Sequence, residues 1–172
     1  MDWKPLIAKM MLIKNKIREE KGGDFYPYHL PNAAATDSEI DHISQTVGRE
    51  IPPDYLDFLR TANGWKGFLL DTDLLGTEEL NDPRYLQAAN DCFFSLDETQ
   101  IEGFQKKDLL AVSVNLSDRD VFLMVIAEGN HFGEVVWFAG EEIDRYESFP
   151  EFFASMILYN ERSLKKLRGE PV

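Results

Sequence analysis

The sequence predicts a single α+β domain. Apolar residues recur every three or four positions before residue 62 and again after residue 149, which is the spacing of amphipathic helices. Between these regions, segments rich in β-branched and aromatic residues alternate with turn-forming residues, as in an antiparallel meander. Helices followed by strands and then by a helix favour an α+β fold over an alternating parallel one. A length of 172 residues with 44% apolar residues suits one domain.

The first helix is predicted over residues 4–18, where apolar side chains share one face and basic side chains occupy the other. The segment from Lys21 to Asn32 is predicted to be an irregular connector, because it contains two glycines and two prolines. We expect residues 1–35 to pack on the main domain as a helix and a connector. The main domain then spans residues 36–168, and residues 169–172 form a C-terminal tail.

Two further helices are predicted from capping signals. Thr36 and Glu39 fit a capping box at the start of the second helix, and Gly48 is placed to end it. Pro53 suits the first position of the third helix, where its missing N–H needs no partner. Asn63–Gly64 is predicted to end that helix, since both residues tolerate a left-handed backbone. The buried stripe of the third helix is predicted to be Tyr55, Leu56, Leu59 and Ala62.

The sheet is predicted from the next part of the chain. Phe68 to Leu75 reads as one strand, followed by acidic, turn-rich sequence through Pro83. Residues 85–90 read as a short helical turn, and residues 83–107 as a whole match no pattern. The remaining predicted strands, each bounded by turn residues, are 109–114, 121–127 and 134–139.

The last helix is predicted over residues 149–166. Ser148 and Glu151 fit a second capping box, with Pro150 in the first turn. Basic residues gather at the other end of this helix, where positive charge interacts favourably with the helix dipole.

Negative charge is concentrated in one segment of the chain. The formal charge is −13, and residues 68–103 hold nine acidic side chains against one basic, Arg84. Such a surface repels nucleic acid and anionic membranes and attracts basic proteins. The alternative is that these carboxylates serve solubility alone. We therefore expect neither a nucleic-acid nor a membrane partner.

The residues that usually carry catalysis are scattered. His29, His42 and His131 lie far apart in sequence, and Cys92 has no histidine near it. The segment from Asp71 to Gly76 resembles the start of a calcium loop, but Leu75 stands where the third ligand is required. We predict no catalytic residues, no metal site and no cofactor.

The termini and the cysteine content favour a cytoplasmic protein. The apolar stretch near the N-terminus is interrupted by Lys9 and lacks a small-residue cleavage site. No apolar run approaches the roughly 20 residues that span a bilayer. Cys92 stands alone, so no disulfide forms within the chain.

The aromatic residue Trp65 directly follows Asn63–Gly64 and has two interpretations. An exposed tryptophan after a helix end could anchor a partner. Alternatively, its ring covers the end of the third helix. The sequence leaves both open.

Several motifs together resemble the SUKH superfamily, which includes yeast cell-wall-assembly regulators of the Smi/Knr type and many bacterial immunity proteins. The segment from Ile51 to Gly64, with Pro-Asp-Tyr near its start and Asn-Gly at its end, is the most informative. The resemblance covers about residues 36–160. Its other motifs are the acidic helix 39–48, the strand and acidic turn 68–80, the hairpin 121–124 with 133–137, and the Ser-Phe-x-x-Phe-type helix start 148–153.

The resemblance implies a mostly antiparallel, curved sheet packed by helices, and a non-enzymatic protein that binds another protein. The leading hypothesis is an immunity protein that neutralises a cognate, basic bacterial toxin, such as a nuclease. The alternative is a regulatory scaffold of the cell-wall-assembly type, and the third and weakest candidate is a carboxylate-based hydrolase. Oligomeric state is left open. The candidate partner-binding residues are Trp65, Asp71, Asp73, Glu78, Glu79 and Asp82.

Overall fold

The computed structural model describes residues 1–22, 28–94 and 104–171, without the side chains of residues 93 and 94. Part of the predicted connector and residues 95–103 therefore lie outside the described residues. The described helices are α1 (Trp3–Glu20), α2 (Asp37–Val47), α3 (Pro53–Leu59), α4 (Pro83–Phe94) and α5 (Phe149–Arg168). The described strands are β1 (Trp65–Leu69), β2 (Thr72–Leu74), β3 (Leu109–Asn115), β4 (Val121–Val125), β5 (Val135–Phe138) and β6 (Glu142–Tyr146).

The six strands form one antiparallel sheet in which each strand pairs with the next one along the chain. Val121 of β4 pairs with Phe138 of β5 after a short connection, whereas Thr72 of β2 pairs with Asn115 of β3 across the longest connection, which carries α4. The α+β class and the antiparallel meander predicted from the sequence are confirmed. Every residue of β4, which lies between β3 and β5 in the sheet, is buried.

Two predictions about the strands are wrong. The stretch from Phe68 to Leu75 is not one strand but a hairpin of β1 and β2 that turns at Leu70–Asp71. Leu70 has a φ of 51°, a conformation that glycine or asparagine usually supplies, so the first residue of the turn does not mark the hairpin in the sequence. Strand β6 was not predicted, because Ile143 and Tyr146 are its only strand-favouring residues and the other three are charged.

The helix ends agree with most of the predictions. Thr36 and Glu39 form the reciprocal capping box, and Gly48 ends α2 with a left-handed φ of 67°. At α5, Ser148 accepts from the Glu151 N–H, but the Glu151 carboxylate accepts from the N–H of Glu147, so the second box is only half present. The helix predicted over residues 85–90 extends over the whole of α4.

Helix α3 is shorter than predicted. It ends at Leu59, and Arg60 keeps a right-handed helical backbone, so Asn63–Gly64 is not its C-terminal stop. Asn63 and Gly64 instead lead directly into β1. Phe58 joins Tyr55 and Leu59 in the core, whereas Leu56 is only half buried.

Helices α1 and α5 lie side by side and run in the same direction. Trp3 packs edge-on to Phe153 at 5.5 Å between ring centroids, and Lys9 pairs with Glu161 at 2.9 Å. At the far end, Arg168 donates to Glu20 at 2.7 Å. The two helices thus close the core over one face of the sheet. Among the described residues, no helix combines the length and hydropathy needed to cross a bilayer.

Both outer edges of the sheet are occupied by side chains. Lys14 of α1 is 4% exposed, and its ammonium donates to the carbonyl oxygens of Gly67 and Phe68 on β1. On β6, the Arg145 N–H donates to the Asp144 carboxylate at 2.9 Å. On each edge strand, at least one backbone group is therefore hydrogen-bonded to a side chain of the same chain.

Candidate functional site

Three of the predicted acidic residues gather in the connection between β2 and α4, at one end of the sheet. This acidic turn (residues 75–82) includes a single turn of 3-10 helix from Glu79 to Asn81. Glu78 is exposed, and Glu79 and Asp82 are half buried. Hydrogen bonds from other parts of the fold hold this turn in place.

A tyrosine of α3 fixes the start of the acidic turn. The Tyr55 hydroxyl donates to the carbonyl oxygen of Leu75 at 2.8 Å, deep in the core. Burial raises the pKa of Tyr55, and the nearby charge of Glu79 raises it further, so the hydroxyl keeps its proton and remains a donor. The tyrosine of the Pro-Asp-Tyr motif therefore has a specific structural role: it ties α3 to the turn.

The side chain of Asn63 fixes the middle of the turn. Its Nδ2 donates to the Thr77 hydroxyl at 2.7 Å, and its Oδ1 accepts from the Thr77 N–H at 2.8 Å. Thr77 is almost fully buried, and one carboxamide thus satisfies both its hydroxyl and its N–H. The Asn-Gly pair, interpreted above as a helix stop, is a clamp on the acidic turn.

The glycines beside this clamp allow the two chain segments to touch. A Cβ atom added to Gly64 would lie 2.6 Å from the Gly76 nitrogen. A Cβ atom added to Gly76 would meet the carbonyl of Asn63. Because backbone cannot yield as a flexible side chain can, this approach requires glycine on both sides.

Contacts inside the acidic turn occupy two of its carboxylates. Glu79 accepts from the Gly76 N–H at 2.9 Å. Asp82 accepts from the Arg84 N–H at 2.8 Å, and its carboxylate pairs with the Arg84 guanidinium at 2.6 Å, so the pKa of Asp82 is lowered. Glu78 has no hydrogen-bond or ion-pair partner among the described residues. Of the three carboxylates in the turn, Glu78 is therefore the one that faces solvent without a partner.

An open groove of about 380 Å³ separates the acidic turn from the first turns of α2. Glu39 lies on the α2 side, and hydrogen bonds from the Thr36 hydroxyl and N–H lower the pKa of its carboxyl group. Glu39 is therefore an anion at neutral pH, across the groove from Glu78. The groove is lined by Ser38, Glu39, His42, Thr77, Glu78 and Asn81.

The remaining predicted acidic residues lie elsewhere. Asp71 is exposed at the β1–β2 turn, at the opposite end of β2 from the acidic turn. Asp73 is only 8% exposed, and its oxygens accept from the Gly67 N–H at 2.6 Å and from the Tyr85 hydroxyl at 2.5 Å. The acidic set thus does not form one surface, and Asp73 is a buried anchor between the hairpin and α4.

Trp65 is fully buried. Its indole N–H donates to the carbonyl oxygen of His29 at 2.8 Å, and its ring packs 5.9 Å from that of Phe68. In this conformation the side chain offers no surface to a partner. Its contacts join the connector after α1 to the start of β1.

The α2 side of the groove was not singled out from the sequence as part of a site. The sequence identified Glu39 only as a capping residue and His42 only as one of three scattered histidines. Their position opposite Glu78 depends on the Asn63 clamp, which is a contact between residues 14 positions apart in the chain. No local pattern carries that information.

The described residues offer binding groups at this site, and no metal centre is found among them. Cys92 is buried, and burial raises the pKa of its thiol, which disfavours the reactive thiolate. The groove combines two carboxylates, an imidazole and neutral hydrogen-bonding groups on a rigid frame. Such an arrangement is suited to binding positively charged side chains.

Comparison with curated proteins gave no match. Residues 34–155, which include α2, α3, the acidic turn and the whole sheet, match the family described as SMI1 / KNR4 family (SUKH-1). Tyr55, Asn63 and Gly64, the residues that hold the acidic turn, all lie inside the matched region. The match covers more than two thirds of the chain, and the protein therefore belongs to the SMI1 / KNR4 family (SUKH-1).

Proposed function

We propose that the protein is a non-enzymatic immunity protein that binds and neutralises a basic toxin in the cytoplasm. One observation carries this proposal: the acidic turn is held rigidly by Tyr55 and Asn63, and it presents the unpaired Glu78 across an open groove from Glu39. Groups that are fixed before binding lose little conformational entropy when a partner docks, which favours tight association.

Charge supports a basic partner. The formal charge of −13 attracts positively charged proteins over long distances and speeds their encounter. Enzymes that cleave nucleic acids bind phosphates with lysine and arginine, so their substrate grooves are basic. An acidic groove of this size accepts one or two such side chains and would compete with the substrate.

The chemistry of the groove is less suited to a carboxylate hydrolase. A general acid needs a carboxyl group whose pKa is raised, as in an enclosed apolar pocket. The pKa of Glu39 is lowered by its capping hydrogen bonds, and the groove is open. Glu39 is thus a stable anion for binding and a poor proton donor.

Capture of the partner under two salt conditions tests the proposal. Tagged wild-type protein, the variant Glu78→Lys and the control Glu170→Lys are each incubated with extract from the producing cells, and bound proteins are identified by mass spectrometry. Glu170 is an exposed residue beyond the end of α5, so it supplies the same change of charge away from the groove. We expect a basic toxin domain to be retained by wild type and control and to be lost with Glu78→Lys.

The identity of the captured protein separates the alternatives. A toxin whose activity is inhibited in a purified assay supports the immunity function. A wall-synthesis or signalling protein supports the regulatory scaffold of the Smi/Knr type instead. Equal capture by Glu78→Lys and by wild type would contradict the assignment of the groove as the binding site.

A further inference from the structure

An exposed leucine occupies a strained turn at the end of the sheet opposite the acidic turn. Leu70, at the β1–β2 turn, has a φ of 51° and is 52% exposed. It is the one non-glycine residue among those described whose φ is positive. Asparagine or glycine at this position would be less strained than a branched apolar side chain. Strain of this kind is more often found where a side chain serves binding.

A second exposed leucine lies on the neighbouring turn. Thr72 and Asn115 are paired across β2 and β3, so the β1–β2 and β3–β4 turns leave the sheet side by side. Leu116 directly follows Asn115 and is 46% exposed. The Asn115 side chain accepts from the N–H groups of Ser117 and Asp118, at 2.8 and 3.1 Å, which fixes this turn. The two leucines therefore protrude from adjacent turns of defined shape.

The surroundings of these leucines are acidic. Asp71 and Asp118 are exposed next to Leu70 and Leu116, respectively. The charges that act on the buried thiol of Cys92 lie around this end, because that thiol donates to the carbonyl oxygen of Arg119, in the β3–β4 turn, at 3.6 Å. These charges are Asp91, Asp118 and Asp120 against the single basic residue Arg119. The surroundings of the two leucines therefore carry a net negative charge.

We propose that Leu70, Leu116, Asp71 and Asp118, here called the tip surface, form a second docking surface that binds a basic protein segment through an apolar side chain. Charge decides the occupant. A second copy of this chain placed symmetrically on the tip surface would bring four carboxylates, Asp71 and Asp118 of each copy, into one interface, which is repulsive. A segment with lysine or arginine beside an apolar residue matches both parts of the tip surface. The tip surface shares no residue with the groove.

Selection from a random peptide library displayed on phage tests the proposal without a known partner. The library is first depleted on the variant Leu70→Asn/Leu116→Ser and then selected on the wild-type chain. Asparagine tolerates the left-handed backbone, so we expect this variant to melt at the same temperature as the wild type or higher. We expect enriched peptides with an apolar residue flanked by lysine or arginine. Calorimetric titration should show at least tenfold weaker binding to the variant, and wild-type affinity should fall with added salt.

Two further variants make the outcome decisive. Asp71→Lys leaves both leucines in place and should also weaken the selected peptides, because it reverses a charge of the tip surface. Glu78→Lys, in the groove at the other end of the sheet, should leave their affinity unchanged. Peptides that bind wild type and the leucine variant equally would overturn the inference, as would enrichment without basic residues. Peptides lost with Glu78→Lys alone would also overturn it, while supporting the groove as the binding site.

Discussion

Asn63 and Thr77 are joined by two hydrogen bonds that run in opposite directions between the β1 entry and the acidic turn. One carboxamide satisfies both the hydroxyl and the N–H of a residue that is almost completely buried. The loop that carries Glu78 is therefore attached to the frame by bonds that water cannot easily replace. Its geometry therefore depends on a residue outside the turn, Asn63, as well as on its own sequence.

Asn63→Ala should lower the free energy of unfolding by about 2 kcal/mol, because it leaves the N–H and the hydroxyl of Thr77 buried without this partner. Thr77→Val removes only the hydroxyl and should cost about half as much. Denaturant unfolding of both single variants and the double variant measures the difference. Additive losses would show that the two side chains do not interact as the structure indicates.

Gly76→Ala should be more destabilising than alanine at a glycine with open space around it, because its Cβ atom would press on the Asn63 backbone. We expect a loss above about 2 kcal/mol, as for other sites where backbone must move. Gly48→Ala is the matched control: Gly48 has a left-handed φ but nothing within 4 Å of an added Cβ atom. Its strain should cost only about 1 kcal/mol. Equal losses in thermal unfolding would contradict the close approach.

Lys14 should make the protein more stable as pH rises from 8 towards 10. Burial lowers the pKa of its ammonium from 10.5 to about 8. Between these two values the unfolded chain binds more protons than the folded one, so the free energy of unfolding increases with pH. The full cost of burying the charge, about 3 kcal/mol, is present below pH 8 and is relieved as Lys14 becomes neutral. Urea unfolding at pH 7.5 and 9.5 should show part of this gain, about 2 kcal/mol.

The variant Lys14→Met isolates this effect. It removes the titrating group, and the pH-dependent gain should disappear between pH 7.5 and 9.5. Above pH 10 the buried tyrosines act in the opposite direction: burial raises their pKa values, so stability falls as the unfolded chain loses these protons first. A rise of the same size in Lys14→Met would mean that another group is responsible.

Tyr85→Phe should lower the free energy of unfolding by about 1–3 kcal/mol, because the Asp73 carboxylate loses a buried hydroxyl donor. Asp73 would keep its bond from the Gly67 N–H, so the hairpin should remain folded. Tyr159→Phe serves as control, since Tyr159 is 37% exposed, and should change stability by less than about 0.5 kcal/mol. If the two variants unfold alike, the link between α4 and β2 contributes little.

Local signals in the sequence were sufficient for much of the fold. The Thr36 capping box and the meander of β3, β4 and β5 depend on residues that are close in the chain, and both were predicted correctly. The β1–β2 turn was missed because Leu70 adopts a backbone that its residue type disfavours. Strand β6 was missed because its charged residues are tolerated at an edge, where pairing with β5 decides the conformation.

The candidate site was less accessible to sequence reasoning. Glu78, Glu79 and Asp82 were predicted from the density of acidic residues. That density can be read from one short segment of the sequence. Burial of Asp73 and Trp65 depends on Tyr85 and on the connector before α2, which are distant in the chain. The opposition of Glu39 and Glu78 requires the Asn63 clamp, and no spacing in the sequence encodes it.

The side chains that occupy the sheet edges affect how this protein can meet other proteins. An antiparallel sheet with open edges can add a strand from another chain, either a partner or a misfolded copy. Here the side chains of Lys14 at β1 and Asp144 at β6 hydrogen-bond to backbone groups that such a strand would need. Strand addition at these groups is therefore disfavoured, which agrees with the two binding surfaces proposed above at the ends of the sheet. The same arrangement should keep concentrated protein from growing edge-to-edge fibres.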